Sequence, residues 1–173
     1  MPEELVVRPA TSSDYAVAGD ICVAAYDAAA QLEPGSPYSL TLRDIQARAA
    51  DGIVLVAERN GSVVGTVTIC PSGSAFREIG RADEVEFRFL AVAPQAWRSG
   101  VGDALVAACE AHARGIGATA LAICVRDTNT AAASMYERMG FTRMPERDWS
   151  PRDGVDLLAL TRPVRAGFGP ASR

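Results

Sequence analysis

Lysine is absent from this 173-residue sequence; all 17 basic residues are arginine. That excludes a Schiff base on a lysine amine, and it excludes a P-loop, whose lysine must reach the phosphates. Histidine is nearly absent. The single one, His112, follows Cys109 by three residues on one face of a predicted helix with no further ligand near it in sequence; we read it as a helix-surface residue and assign no metal. The four cysteines, Cys22, Cys70, Cys109 and Cys124, lie in apolar stretches without paired spacing. They read as buried free thiols, not as a disulfide framework or zinc site. No apolar run approaches the ~20 residues of a membrane span. The opening Met-Pro-Glu-Glu is acidic where a signal peptide is basic. The expectation is a cytoplasmic protein with no membrane partner. Net charge is -4, and basic residues are scattered among acidic ones except in the segment 162–173, so no nucleic-acid partner is expected.

What is present is a core. Hydrophobic residues make up 49% and charged residues 22%, which suits a single globular domain over 1–173, with its core at 5–161 and a flexible tail at 163–173. Leu5 to Arg8 reads as a strand closed by Pro9. Thr11 and Asp14 stand in capping spacing before a helix whose apolar stripe runs from Tyr15 to Ala29. Residues 32–40, with two prolines and a glycine, read as loop, and Thr41 and Asp44 suggest the cap of a short helix ending at Gly52. Asn60-Gly61 joins strands 53–58 and 62–69 as a hairpin, a better reading of Asn60-Gly61-Ser62 than a glycosylation sequon. After a loop at 71–83, a strand at 85–92, a helix at about 99–114 and a strand at 120–125 form one βαβ unit, hence a parallel pair. A helix at 129–139 capped by Gly140 and strands at 141–144 and 155–161 complete the chain.

The stretch 84–102 organises the rest. An apolar strand ended by Pro94 passes through a turn, Trp97-Arg98-Ser99-Gly100-Val101-Gly102, into a helix. Such a turn aims free N–H groups and the positive end of a helix dipole at one spot, which attracts phosphate. An ordinary helix start with small residues for close packing reads equally well. A dinucleotide fingerprint does not fit, because its third glycine would fall on Leu105.

Residues 129–141, Asn-Thr-Ala-Ala-Ala-Ser-Met-Tyr-Glu-Arg-Met-Gly-Phe, together with Gly100-Val101-Gly102, resemble the two signatures of the GNAT acyltransferase superfamily. The second signature matches at every fixed position; the first departs, holding Trp97 where the family carries Gln or Arg, with Arg98 one place later. The opening Val-Arg-Pro-Ala-Thr and the Asn-Gly hairpin are similar too, so the likeness covers about residues 5–161.

The resemblance implies an α/β fold with a central mixed sheet of about seven strands and helices on both faces. It also implies an acetyl-CoA co-substrate. By position, Leu90, Ala91 and Val92 would pair their backbone with pantetheine, the turn from Trp97 to Gly102 would take the pyrophosphate, and Asn129 would contact the cofactor or cap its own helix. Glu86 matches the family's general base, with Glu84 as its substitute; Tyr136 matches its general acid. The Val92 N–H or a neighbour would serve the oxyanion. A Cys124 acyl-enzyme is not expected, since an apolar strand raises a thiol's pKa. Tyr26, Tyr38, Glu84 and Trp149 are candidates for binding the acceptor, as are Phe76, Arg77 and Asp148. The acceptor expected is a small-molecule amine or a peptide, and a homodimer is compatible with the sequence. A non-catalytic acyl-CoA-binding module is the alternative; it has no reason to retain both Glu86 and Tyr136.

Overall fold

The computed structural model describes residues 3–165. Its eight strands form one mixed sheet: β1 (Leu5–Pro9), β2 (Ile53–Arg59), β3 (Ser62–Cys70), β4 (Glu84–Val92), β5 (Ala120–Arg126), β6 (Thr142–Arg143), β7 (Trp149–Arg152) and β8 (Val155–Pro163). Their order is β1-β2-β3-β4-β5-β8-β6, with β7 also paired to β8. The helices are α1 (Tyr15–Ala28), α2 (Tyr38–Arg43), α3 (Ile45–Asp51), α4 (Val101–Gly115) and α5 (Thr130–Arg138).

Local chemistry sets most boundaries. Asn60 and Gly61 both take positive φ (51° and 79°), the requirement of the tight turn whose twist matches the strands it joins. The Thr11 N–H donates to the Asp14 carboxylate at 2.7 Å, fixing the turn that leads into α1. Two expectations change. The cap of α3 is Asp44, which accepts from the Ala47 N–H at 3.0 Å. Ahead of it, Tyr38–Arg43, partly assigned to loop, forms α2, because Pro37 at its N-cap (φ -66°) suits a helix start and Leu42 finds a fully buried site.

The other additions are at the sheet's far edge. Strand β7 was not expected; Pro151, which cannot donate to a ladder, is tolerated in it because it is an exposed edge strand. The expected tail is ordered to residue 165. The Val164 N–H reaches Thr119 O at 2.9 Å, and the Arg165 N–H reaches buried Glu110 at 2.9 Å. Residues 166–173 lie outside the described residues.

The parallel pair β4–β5 positions the site. Pairing is limited to Glu84↔Ala120, Val85↔Leu121 and Glu86↔Ala122. Both strands continue, to Val92 and Arg126, without pairing to each other. A bulge drives them apart. The β3–β4 register shifts between Thr66 (opposite Ala91) and Thr68 (opposite Arg88), leaving β4 with an extra residue. There Phe89 has φ 55°, a conformation that bulky residues avoid unless their surroundings hold them in it. The Arg48 and Arg88 guanidiniums lie over its ring at 4.2 Å and 4.5 Å, and Phe76 meets it edge-on at 5.9 Å.

Helices α1 and α4 both pack on β3 and β4. Close approach of α4 depends on Gly65. A Cβ there would stand 2.8 Å from Val101 Cγ1 and 3.1 Å from Leu105 Cδ1, side chains with no room to move. Gly65→Ala is therefore expected to cost about 1–3 kcal/mol, a fall of roughly 2–10 °C in melting temperature for a chain this size. In a Val101→Ala background the same change should cost less than half as much, measured by denaturant unfolding of the four chains.

Candidate active site

Beyond Glu86 the separated strands enclose a cleft of about 890 Å³, the size of a typical small-molecule site. One wall is the bulged end of β4, with Leu90, Ala91 and Val92, whose ladder on this side is unpaired. Opposite are Ile123, Cys124 and Val125 of β5, with Asn129 and Tyr136 of α5. Tyr26 of α1 and Tyr38 of α2 close one end, their rings 6.3 Å apart.

At the other end is the turn 97–102. Arg98 (φ 58°) and Gly100 (φ 84°) are both left-handed, so the chain doubles back just before α4 begins at Val101. Alternation of this kind gathers N–H groups into a concavity that suits an anion, at the positive end of a helix of 15 residues. Trp97, Arg98, Gly100, Val101 and Gly102 line the cleft. Ser99 does not; its hydroxyl donates to Ala96 O, and Arg59 donates to Ser99 Oγ and O, each at 2.8 Å. Trp97 turns its indole N–H onto Val92 O at 2.8 Å. The departure from the signature thus ties the turn to the end of β4.

Arginines give the cleft its charge. Arg98, Arg126, Arg138 and Arg152 line it, and none makes a salt bridge among the described residues. A cationic cleft in a chain of net charge -4 focuses a polyanionic ligand onto one face.

Tyr136 is 4% exposed, its ring against Phe87 and Phe141 at 6.0 Å and 5.5 Å, and it borders the cleft. Burial, then the nearby Cys109, holds its hydroxyl well above the usual tyrosine range. Asn129 caps α5, accepting from the Ala132 N–H at 3.2 Å, and borders the cleft. Burial pushes the Cys124 thiol up to about 12, so it is not a thiolate at neutral pH.

Neither of the two carboxylates expected to act in catalysis, Glu86 and Glu84, lines the cleft. Glu86 is fully buried, behind the cleft wall. Its carboxylate accepts from three consecutive N–H groups: Glu78 at 2.9 Å, Ile79 at 3.0 Å and Gly80 at 2.7 Å. Glu84 is held by Arg147 at 2.7 Å and 2.9 Å and by the Arg81 N–H; neither glutamate is a cleft residue. Three other carboxylates line the cleft, Glu33, Glu78 and Asp103; of these, Glu78 is the one on the loop that Glu86 binds, at 2.6 Å from Arg88 Nε. Glu78 was missed because nothing in a polar loop sequence marks which side chain turns inward. Trp149 stands beside Cys124 without lining the cleft. Phe76, Arg77 and Asp148 serve the fold: Phe76 packs on Phe89, Arg77 binds the carbonyls of Cys70 and Glu84, and Asp148 pairs with Arg143.

Residues 22–141 match the profile of the Acetyltransferase (GNAT) family. The chain belongs to that family. Over 137 residues, 75% of this chain, it is 31% identical to the mycothiol acetyltransferase of Pseudarthrobacter chlorophenolicus, and that stretch is 38% of the relative. This GNAT chain therefore spans well under half the length of the curated relatives it matches. Its fold is that of the ribosomal-protein-S18-alanine N-acetyltransferase of Escherichia coli (TM-score 0.68, 21% identity, 96% and 99% of the two chains). It is equally that of the PaiA N-acetyltransferase of Thermoplasma acidophilum in complex with coenzyme A (TM-score 0.71, 15% identity, 92% and 99%).

Acetyl-CoA is the family's co-substrate, and this cleft fits it. The unpaired edge of β4 suits an extended pantetheine, while the left-handed turn and unpaired arginines suit its phosphates. Gly100 tests the turn. A Cβ there would meet nothing within 4 Å, so Gly100→Ala carries only the ~1 kcal/mol of its left-handed backbone. Gly100→Asp adds a negative charge at the anion's approach. We expect Ala to weaken coenzyme A binding by less than about tenfold and Asp by about 10²-fold or more, read by calorimetry; equal losses would move the phosphates elsewhere.

Proposed function

We propose that this chain transfers the acetyl group of acetyl-CoA directly to a primary amine of a small molecule or peptide. The observation that carries the reading is the cleft opened between β4 and β5, with a phosphate-suited turn at one end, Tyr136 on its α5 wall and an aromatic pair, Tyr26 and Tyr38, at the other end. The thioester supplies an activated acyl group. The chain supplies position and protons.

Leu90, Ala91 and Val92 would hold the pantetheine by backbone pairing, and an N–H at the end of β4 would stabilise the oxyanion. Tyr136 is the acid. Its raised pKa keeps the O–H intact at physiological pH, so it donates a hydrogen bond to sulfur and releases its proton only as charge gathers there. Cys124, protonated at neutral pH, is no rival nucleophile, which favours direct transfer. Tyr26 and Tyr38 would receive the acceptor. The curated relatives are named for mycothiol and one structural neighbour for a ribosomal-protein alanine; thiol release from acetyl-CoA against small amines, free-N-terminus peptides and aminated antibiotics tests the acceptor class.

Two outcomes are expected. Acetyl-CoA at a hundredfold excess over Kd should stabilise the fold by about 2.7 kcal/mol, roughly 5–10 °C, and NAD far less. A thermal shift without thiol release from any amine would make the chain a binding module. Tyr136→Phe should keep that shift and lose about 10²- to 10⁴-fold in kcat. Full kcat in single-turnover assays would remove Tyr136 from the chemistry.

A further inference from the structure

The role left open in that reading is the base, and the position of Glu86 is the reason. Its carboxylate is fully enclosed and already accepts from three backbone donors. Glu78 is its geometric complement: the same loop that Glu86 binds carries the Glu78 side chain into the cleft.

We propose that Glu78 is the general base that takes the acceptor's proton, and that Glu86 is the positioning residue that holds Glu78 in place. Three successive N–H groups converging on one carboxylate fix the backbone of residues 78–80. Arg77 clamps the flanks through the carbonyls of Cys70 and Glu84 at 2.8 Å and 3.0 Å. Arg88 then holds the side chain by one oxygen, Oε1, at 2.6 Å, while its own Nη1 is anchored on Phe76 O at 2.8 Å. Oε2 is engaged by no donor among the described residues and is the atom free to receive a proton. The groups facing Glu78 are Arg88 and Glu86 of β4, Tyr38 of α2, Cys70 of β3 and Cys124 of β5. Burial raises its pKa above the usual carboxylate range, Arg88 opposes the rise and Glu86 adds to it. The carboxyl thereby moves toward the range in which an amine's proton can be passed to it.

The protons balance. Glu78 takes one from the acceptor ammonium; the freed nitrogen bonds to the thioester carbon as the C–S bond breaks. Tyr136 gives its proton to sulfur and is reprotonated by the second amine proton as the amide forms. Glu78 releases its proton to solvent, so ammonium and acetyl-CoA become amide, free thiol and one H⁺.

The inference rests on the transferase reading, and the test separates the two. With the panel amine that wild type turns over fastest, kcat/KM is measured against pH for Glu78→Gln, Glu78→Asp and Glu86→Gln, alongside the acetyl-CoA thermal shift. Because the base acts as carboxylate, activity should rise with pH through the Glu78 pKa. Glu78→Gln should lose this rise and climb only with deprotonation of the amine itself: about 10²- to 10⁴-fold below wild type just above the Glu78 pKa, converging on wild type as pH nears the amine's own pKa, with the thermal shift kept. Glu78→Asp should recover part of the loss. Glu86→Gln should lower kcat and the melting temperature yet keep the pH-dependent rise. A Glu78→Gln chain whose activity still levels off above the Glu78 pKa, or a folded Glu86→Gln chain whose activity no longer does, overturns the assignment. A carboxyl ¹³C titration of the coenzyme A complex stands apart from turnover: the resonance lost in Glu78→Gln should titrate above the ordinary midpoint of about 4.3. A midpoint at or below that value overturns the base role even if no amine reacts, an outcome that would sink the transferase reading by itself.

Discussion

The structure depends on one residue that breaks the regularity of its strand. Phe89 sits at positive φ, at a cost of about 1–3 kcal/mol by the general tendency of such residues. The extra residue turns β4 away from β5 after three paired positions. Without that turn the parallel pair would zip to its end, and the sheet would close over the space where a ligand must lie. What holds the strain is a stack: Arg48, the Phe89 ring and Arg88, with Phe76 at the edge. Arg48 is wholly buried, its charge met by Thr41 O at 2.6 Å, Leu42 O at 3.0 Å and the ring. The α1–α3 face and the bulge are thus one unit, and the helices that carry Tyr26 and Tyr38 are tied to the strand whose unpaired edge lines the cleft.

The exclusive use of arginine follows the same logic. A planar fork with five donors can satisfy several carbonyls that no helix or ladder reaches, which a lysine ammonium does less well. Arg77 binds the carbonyls of Cys70, Gly80, Arg81 and Glu84, so a loop without secondary structure becomes a fixed wall. Carboxylates are used in a matching way: Glu84 with Arg147, and Glu110 with Arg162 and the Arg165 N–H, stitch distant segments together from buried positions. Most charge in this chain therefore serves the fold, and the cleft is where arginines are left over.

The sheet, the helices on it and the turn that borders the cleft were legible because each has a short-range cause. Asn60-Gly61 favours a tight hairpin turn; Gly100 and Gly102 before an apolar helical stripe mark a turn into a helix; and the spacing from Asn129 to Phe141 carries a family likeness. The misses have long-range causes. Strand β7 exists because β8 offers it an edge, and residues 163–165 are ordered because Glu110, more than 50 positions earlier, receives the Arg165 N–H.

The carboxylates draw the boundary most sharply. Glu84, Glu86 and Arg88 alternate along β4, and all three bind the loop before it, at Arg81, at residues 78–80 and at Phe76. Sequence alone determined the fold, the family and the turn at 97–102 that borders the cleft, since these follow from periodicity, turn chemistry and motif spacing within a few tens of residues. Only the tertiary structure decided that Glu78, and not Glu86, borders the cleft. That depends on where a non-repetitive loop folds back, and on which of two glutamates, Glu78 or Glu86, its backbone N–H groups enclose.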